Sequence, residues 1–202
     1  ISGMGELHLE VMVDRLQREF RVNCKAGTPR VAYRETITQT ADSEILFEQQ
    51  LDGEEQFAFC RISLEPLEAG GGFEFENQLS AEELPTQFAE AVEQGIQDAM
   101  SNGVLAGFSL IDLKVSLIAG GSLEEISTEV AFTIAGVHAL RDGAQKALPA
   151  LLEPTMKIEV VTPVPFTGEV IGDLNARHGR IRGMEEQGGI QVVSAEAPLA
   201  EM

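Results

Sequence analysis

The three histidines, the side chains best suited to proton transfer or metal binding at neutral pH, are scattered along the chain. His8, His138 and His178 lie far apart, and none has another ligand-type residue at the spacing that metal sites use. His8 and His138 fall in apolar helical patterns and are interpreted as structural. The 33 acidic residues follow solvent-exposed patterns, so no pair stands out as general acid and base. The sequence predicts no catalytic residue and no metal ligand.

Nucleotide and thiol chemistry are equally unsupported by the sequence. The phosphate-binding loop G-x-x-x-x-G-K-[ST], whose backbone N–H groups and Lys hold phosphates, does not occur. We therefore expect no nucleotide cofactor and no enzymatic activity in this chain. Cys24 and Cys60 are too few for a disulfide framework and lack metal-ligand spacing. They are interpreted as free thiols of a reducing, cytoplasmic environment.

Charge limits the possible partners. The formal net charge is −19, from 14 basic and 33 acidic residues. Between Asp42 and Leu113 sixteen residues are acidic and one, Arg61, is basic. Such a chain repels phosphate backbones at long range. DNA is therefore not expected as a partner, and contact with RNA would require a local group of basic residues.

One such group occurs near the carboxyl end. Arg177, His178, Arg180 and Arg182 lie within six residues, around the predicted end of a helix at Gly179. Several of these side chains can therefore project from one loop and the start of one strand. We predict that they form the main basic patch of the chain and contact RNA or protein.

Hydrophobic periodicity predicts the elements that must hold these residues. Helices are predicted over 7–20, 85–103, 128–148 and 166–177, the third closed by Pro149. Strands are predicted over 21–24, 31–37, 57–64, 73–76, 111–118, 156–160, 181–185 and 189–196. The stretch between Ile37 and Phe57 could be a loop or a hairpin extension. No apolar run is long enough to span a membrane.

Breaks in the pattern divide the chain into three parts. Gly27 and Pro29 mark one boundary and Glu153-Pro154 the other, giving domains over 1–28, 29–153 and 154–202. The central order predicts an α+β fold with helices on one face of a sheet. The last part follows most of a split βαβ, ferredoxin-like motif. Both outer parts are expected to be truncated domains.

Several segments, in order, resemble bacterial elongation factor G. Ser2-Gly-Met-Gly-Glu-Leu-His-Leu-Glu10 is similar to the last helical part of its domain III, and Pro29-Arg-Val-Ala-Tyr-Arg-Glu-Thr-Ile37 to the opening strand of domain IV. Gly103-Val-Leu-Ala-Gly-Phe108 and Leu151-Leu-Glu-Pro-Thr-Met156 resemble a mid-domain loop and the junction of domains IV and V. Residues 168–184 and 197–202 resemble domain V. The resemblance covers nearly the whole chain.

The resemblance implies a fold and a role. The fold is a ribosomal-protein-S5-like domain IV flanked by truncated ferredoxin-like domains. In this family an amino-terminal domain binds GTP and Mg²⁺ and hydrolyses GTP. Domain IV enters the decoding region of the small ribosomal subunit during translocation of tRNA and mRNA, and domain V lies near the factor-binding region of the large subunit. The implied partners of this chain are therefore ribosomal RNA and ribosomal proteins, and Arg177, His178, Arg180 and Arg182 become candidate ribosome contacts.

One departure from the family pattern concerns the tip of domain IV. The family carries a basic, glycine-rich loop there, of the pattern Lys-Lys-Gln-x-Gly-Gly. The matching positions are Glu48-Gln49-Gln50-Leu51-Asp52-Gly53, and from Ile37 to Cys60 six residues are acidic and none is basic. A second tip element begins at Gly120-Gly121-Ser122 and also carries acid. Loss of Lys at these positions is expected to weaken attraction to phosphate.

Three interpretations of this tip stay open. The parent protein is an ordinary translocase whose tip has drifted in sequence, or a paralogue that serves ribosome recycling or ribosome protection. In the third, the acidic domain IV binds a basic protein partner. The sequence does not distinguish which step of translation is served.

Overall fold

The computed structural model describes residues 3–4, 6–25, 31–51 and 53–202. The chain divides into a central unit, residues 33–152, and a terminal unit, residues 1–32 together with 153–202. The predicted boundary between residues 28 and 29 lies outside the described residues. Within the part of the chain that is described, no helix is long and apolar enough to cross a membrane.

The central unit contains a four-stranded sheet and a separate strand pair. Its elements are β1 (Arg34–Ile37), β2 (Ala41–Leu51), β3 (Glu54–Pro66), β4 (Phe73–Asn77), α2 (Thr86–Asn102), β5 (Leu113–Gly121), α3 (Glu129–Lys146) and β6 (Pro149–Leu152). The sheet order is β2-β3-β5-β4, in which only the β4–β5 pair is parallel. Strands β1 and β6 pair antiparallel to each other.

Both long helices of the central unit share one core with the sheet. Helix α3 packs on β2 and β3, and α2 packs along α3. A single buried cluster includes Val92 and Ile96 of α2 with Leu64 of β3 and Val115 of β5. The helices can approach closely because Gly95 has no Cβ atom. A Cβ atom at that position would lie only 2.1 Å from the Thr133 carbonyl oxygen. The predicted α+β arrangement, with helices on one sheet face, is confirmed.

The terminal unit contains α1 (Glu6–Arg18) and a three-stranded antiparallel sheet. The sheet is formed by β7 (Thr155–Pro163), β8 (Arg180–Gln187) and β9 (Ile190–Pro198), in the order β7-β9-β8. Helix α4 (Thr167–Ala176) lies on one face, with Leu174 buried against Val193 and Ala195. Short 3-10 turns at Val164–Phe166 and Leu199–Glu201 precede α4 and follow β9.

The structure corrects two predicted elements and decides a third. Residues 21–24 are not a strand, and Arg21 has a positive φ of 51°. Pro149 does more than close α3, because it begins β6 and thereby pairs with Ile37 of β1. The acidic stretch after Ile37 is a hairpin extension, since β2 and β3 pair continuously from Ala41 to Leu51.

Candidate functional site

Metal-binding side chains are not clustered in the described part of the chain. No group of three or more His, Cys, Asp or Glu side chains among residues 3–4, 6–25, 31–51 and 53–202 could hold a metal ion. The Nδ1 atom of His8 accepts a hydrogen bond from the Met4 amide at 3.2 Å, and the His8 side chain is exposed. The side chain of His138, which the sequence predicts to be structural, is exposed on α3.

The first tip element is the end of a strand rather than a loop. Glu48, Gln49 and Gln50 belong to β2 and lie opposite Phe57, Gln56 and Glu55 of β3. The turn itself is short and includes Gly53, whose φ of 90° favours glycine. Asp52 lies outside the described residues. Alternation along β2 therefore separates Glu48 and Gln49 onto opposite faces of the hairpin.

The second tip element lies beside the first. Gly120 and Gly121 end β5 opposite Cys60 and Phe59 of β3, and Ser122 begins the following loop. That loop continues along β3, since the Phe57 amide donates to the Ile126 carbonyl at 2.9 Å. The Ser127 hydroxyl donates to the Phe57 carbonyl at 2.8 Å. The loop after Ser122 therefore reaches the level of Glu48, which pairs with Phe57, on the other side of β3.

This tip is acidic in three dimensions as well as in sequence. Glu48, Glu54 and Glu55 are all exposed near the end of the hairpin. Arg61 is the nearest base along β3, and its guanidinium is held by Asp42, 3.0 Å away. The tip therefore presents carboxylates to any approaching partner, with no base among its described residues.

Two of the four predicted basic contacts lie at the carboxyl end of α4. Arg177 donates to the Asp173 carboxylate at 2.9 Å and to the Glu201 carbonyl at 2.8 Å. His178 has a positive φ of 56°, and its Nδ1 atom lies 3.9 Å from a Glu201 carboxylate oxygen. Arg177 lines a groove on the same side of the sheet as α4, together with Ile158 and Val160. These contacts give Arg177 a local structural role.

The other two predicted contacts, Arg180 and Arg182, lie on the opposite face of the sheet. Arg182 binds the Glu196 carboxylate through its Nε and Nη2 atoms, at 2.9 and 2.6 Å. Glu196 also lies directly opposite Lys157 of β7 and Arg180 of β8. We call Lys157, Arg180, Arg182 and Glu196 the sheet-face cluster. The hydrogen bonds from Arg182 are the main cause that lowers the pKa of Glu196, with smaller contributions from Lys157 and Arg180.

Lys157 is the member of the sheet-face cluster that the sequence did not single out. It lies more than twenty positions before Arg180, so spacing along the chain hides the relationship. The alternation of β7 carried a usable signal, because Ile158 and Val160 face α4 and place Lys157 on the other side. Arg177 and Arg180 are close along the chain but lie on opposite faces of the sheet, whereas Lys157 is distant along the chain and lies on the same face as Arg180.

Comparison with known proteins decides the family. The family model described as "Elongation factor G, domain IV" matches residues 29–148. The models "Elongation factor G C-terminus" and "Elongation Factor G, domain III" match residues 150–202 and 1–28. The chain belongs to the elongation factor G family. None of these matched domains is a GTPase domain.

A solved structure supports the same assignment. A crystallised protein from Thermus thermophilus is similar over 98% of this chain, with a TM-score of 0.82 and 39% sequence identity. The match covers 30% of that protein, so this chain spans less than a third of its length. The mixed α and β architecture is that of domain IV and the carboxy-terminal domain of elongation factor G, as the resemblance implied. In the family's terms, the central unit carries domain IV.

Proposed function

We propose that this chain is the ribosome-contacting arm of a translational GTPase, whose GTP- and Mg²⁺-binding domain is a separate part of the parent protein. Within the proposal, the parent promotes GTP-dependent translocation of tRNA and mRNA. The arm itself supplies binding surfaces rather than chemistry. Its partners are ribosomal RNA and ribosomal proteins in the cytoplasm.

The sheet-face cluster is the observation that carries this proposal. Three cations, Lys157, Arg180 and Arg182, lie around the carboxylate of Glu196, on a face that also carries Glu159 of β7. A group of three bases on one face stands out in a chain whose net charge is −19. Basic side chains on one face bind RNA phosphates and release the counterions held there. The cluster is therefore the surface best suited to ribosomal RNA.

Charge reversal within the cluster tests the proposal. The double variant Lys157→Glu with Arg180→Glu should bind purified large ribosomal subunits about tenfold more weakly. The slope of log affinity against log salt concentration should become shallower by the contribution of about two phosphate contacts. The control, Arg61→Glu with Arg141→Glu, changes net charge equally on exposed side chains of the central unit. Equal losses in both variants would exclude the cluster as a specific contact.

A second function is favoured by the acidic tip. Glu48, Glu54 and Glu55 lie where the family carries its basic loop, and their negative carboxylates repel the negative phosphates of RNA. In this alternative, domain IV docks a basic protein, or the parent serves recycling or ribosome protection rather than translocation. A reconstituted translocation assay with the full-length parent separates the two. A rate equal to that of an ordinary elongation factor G supports translocation, and ribosome binding without translocation supports the alternative.

A further inference from the structure

The outer edge of β2 is the longer of the two edges of the central sheet. Strand β2 has 11 residues and pairs only with β3, so within the described part of the central unit its other edge has no strand partner. The opposite edge of the same sheet, β4, has only 5 residues. Long unpaired edges present free backbone N–H and C=O groups that attract further strands.

Several of the usual protections of an edge strand are missing from β2, which carries only acidic side chains as protection. Its sequence, Ala-Asp-Ser-Glu-Ile-Leu-Phe-Glu-Gln-Gln-Leu, contains no Pro and no Lys, and its register with β3 runs without a bulge. Its only charged side chains are the carboxylates of Asp42, Glu44 and Glu48, which are exposed. Because β-strand addition is opposed by like charge and favoured by opposite charge, this edge discriminates by the charge of its partner.

A groove runs beside this edge on the side of the helices. It has a volume of about 600 Å³ and lies between β2 and α3. On its floor are Ile45 and Phe47 of β2, and its wall is formed by His138, Arg141 and Gln145 of α3. Leu46, 58% exposed, and Glu48 border it from the other face of the strand. The two faces of the edge are therefore chemically different: one is acidic, and the other combines the apolar side chains of Ile45 and Phe47 with the polar and oppositely charged side chains of α3, including Arg141 and Asp142.

We infer that β2 receives an extended segment of a basic partner protein, which adds as a further strand to the sheet. The inference rests on the second proposed function and deepens it. Alternate side chains of an added strand point to opposite faces. Lys or Arg on one face would meet Glu44 and Glu48, whereas Asp42 on that face is already paired with Arg61. Aliphatic residues on the other face would contact Ile45 and Phe47 in the groove. The segment recognised is thus one in which basic and aliphatic residues alternate.

Other occupants fit this edge less well. A second copy of the chain would bring the carboxylates of two β2 strands together, which destabilises cross-strand pairs. Single-stranded RNA would bring phosphates to the same carboxylates. An extended peptide with basic side chains fits better, because its backbone can pair with the free hydrogen-bonding groups of β2 and its cations can pair with the acidic face.

The experiment uses the 202-residue chain and a fluorescent peptide of about nine residues in which Lys and Val alternate, matched to the length of β2. Three peptides serve as controls. One has the same composition with all Lys residues before all Val residues, one carries Glu in place of Lys, and one is the alternating peptide methylated on alternate backbone nitrogens. Fluorescence anisotropy measures affinity, and hydrogen exchange by NMR locates the amides that the peptide protects.

We expect the alternating peptide to bind most tightly and to protect alternate amides between Ser43 and Gln49. The variant Glu44→Lys with Glu48→Lys should weaken binding about tenfold, because two attractions become repulsions. The matched control, Glu82→Lys with Glu90→Lys, makes the same change in net charge on exposed residues outside the edge and should change affinity less than about twofold.

Each contrary outcome overturns the inference in a distinct way. Equal binding of the N-methylated or block peptide, or protection outside β2, excludes strand addition while leaving the second proposed function intact. Absence of binding by every basic peptide contradicts both. Protection of β2 by single-stranded RNA, or by self-association of the chain at high concentration, assigns the edge to another occupant and excludes a basic protein segment.

Discussion

The carboxylate of Glu35 in β1 lies 2.6 Å from the backbone nitrogen of Val104, in the loop that follows α2. The same carboxylate accepts hydrogen bonds from the amides of Leu105, Ala106 and Phe108, at 2.8 to 3.1 Å. Glu35 is fully buried. Burial opposes its ionisation most strongly, but the four amide donors together outweigh burial and lower the pKa of Glu35. One charged side chain thus holds the loop after α2 against β1.

We predict that Glu35→Gln destabilises the central unit by about 2–4 kcal/mol, because an amide group cannot accept all four backbone N–H groups and a buried donor is left unsatisfied. Urea-induced unfolding followed by circular dichroism measures the loss. The control Glu90→Gln, on the exposed face of α2, should change stability by less than about 0.5 kcal/mol. Equal stability of Glu35→Gln and the wild type would show that the four hydrogen bonds are not needed.

The lowered pKa of Glu35 also predicts a pH dependence. The pKa is lower in the folded than in the unfolded chain, so the stabilisation is complete above the unfolded value of about 4.3. It is lost as the pH falls through the lower, folded value. Between about pH 5 and pH 3 the wild type should therefore lose more stability than Glu35→Gln does. Parallel curves of unfolding free energy against pH for the two proteins would contradict this assignment.

The contact between α2 and α3 should be sensitive to a single methyl group. A Cβ atom on Gly95 would lie 2.1 Å from the Thr133 carbonyl oxygen, and one on Gly136 would lie 2.5 Å from that of Val92. Because both obstacles are backbone, Gly95→Ala must separate the helices, and we expect a loss of about 1–3 kcal/mol. Gln94→Ala, at an exposed neighbouring position, is the control and should be nearly neutral. A stabilised Gly95→Ala protein would show that the helices can adjust at no cost.

The sequence predicted most helices and the strands with clear alternation, because periodicity of two or 3.6 residues is a local property. It left the hairpin of β2 and β3 open, since the acidic side chains of β2 obscure the alternation of Ser43, Ile45 and Phe47. It missed β6, because Pro149 also indicates a helix end. The Lys157–Glu196 neighbour relationship could not be predicted, since register between strands depends on tertiary pairing that one sequence does not specify.

The two cysteines should differ sharply in reactivity. Burial raises the pKa of the Cys60 thiol to about 12, whereas Cys24 is half-buried. Because the thiolate is the reactive form, iodoacetamide at about pH 8 should label Cys24 and leave Cys60 unmodified. Mass spectrometry of the intact chain counts the labels, and labelling in urea, where both thiols are exposed, is the control. Two labels on the folded chain would show that β3 opens readily.

The final prediction concerns the acid at the domain IV tip. Glu48 and Glu55 lie on the same face at the end of the hairpin, since Glu48 pairs with Phe57 and alternation places Glu55 beside it. We expect Glu48→Lys with Glu55→Lys to strengthen binding of the chain to single-stranded RNA. The plot of log affinity against log salt should steepen by up to about 1.4, the value for two phosphate contacts on a single strand.

The variant Glu82→Lys with Glu90→Lys is the matched control for this prediction, because it changes net charge equally at exposed positions outside the tip. A stronger RNA interaction in the tip variant alone would show that carboxylates at the tip exclude RNA from domain IV. An equal gain in both variants would mean that net charge rather than tip position sets RNA affinity. In that case the tip acid would be no obstacle to the decoding region, and the ordinary translocase would be the better account of the parent protein.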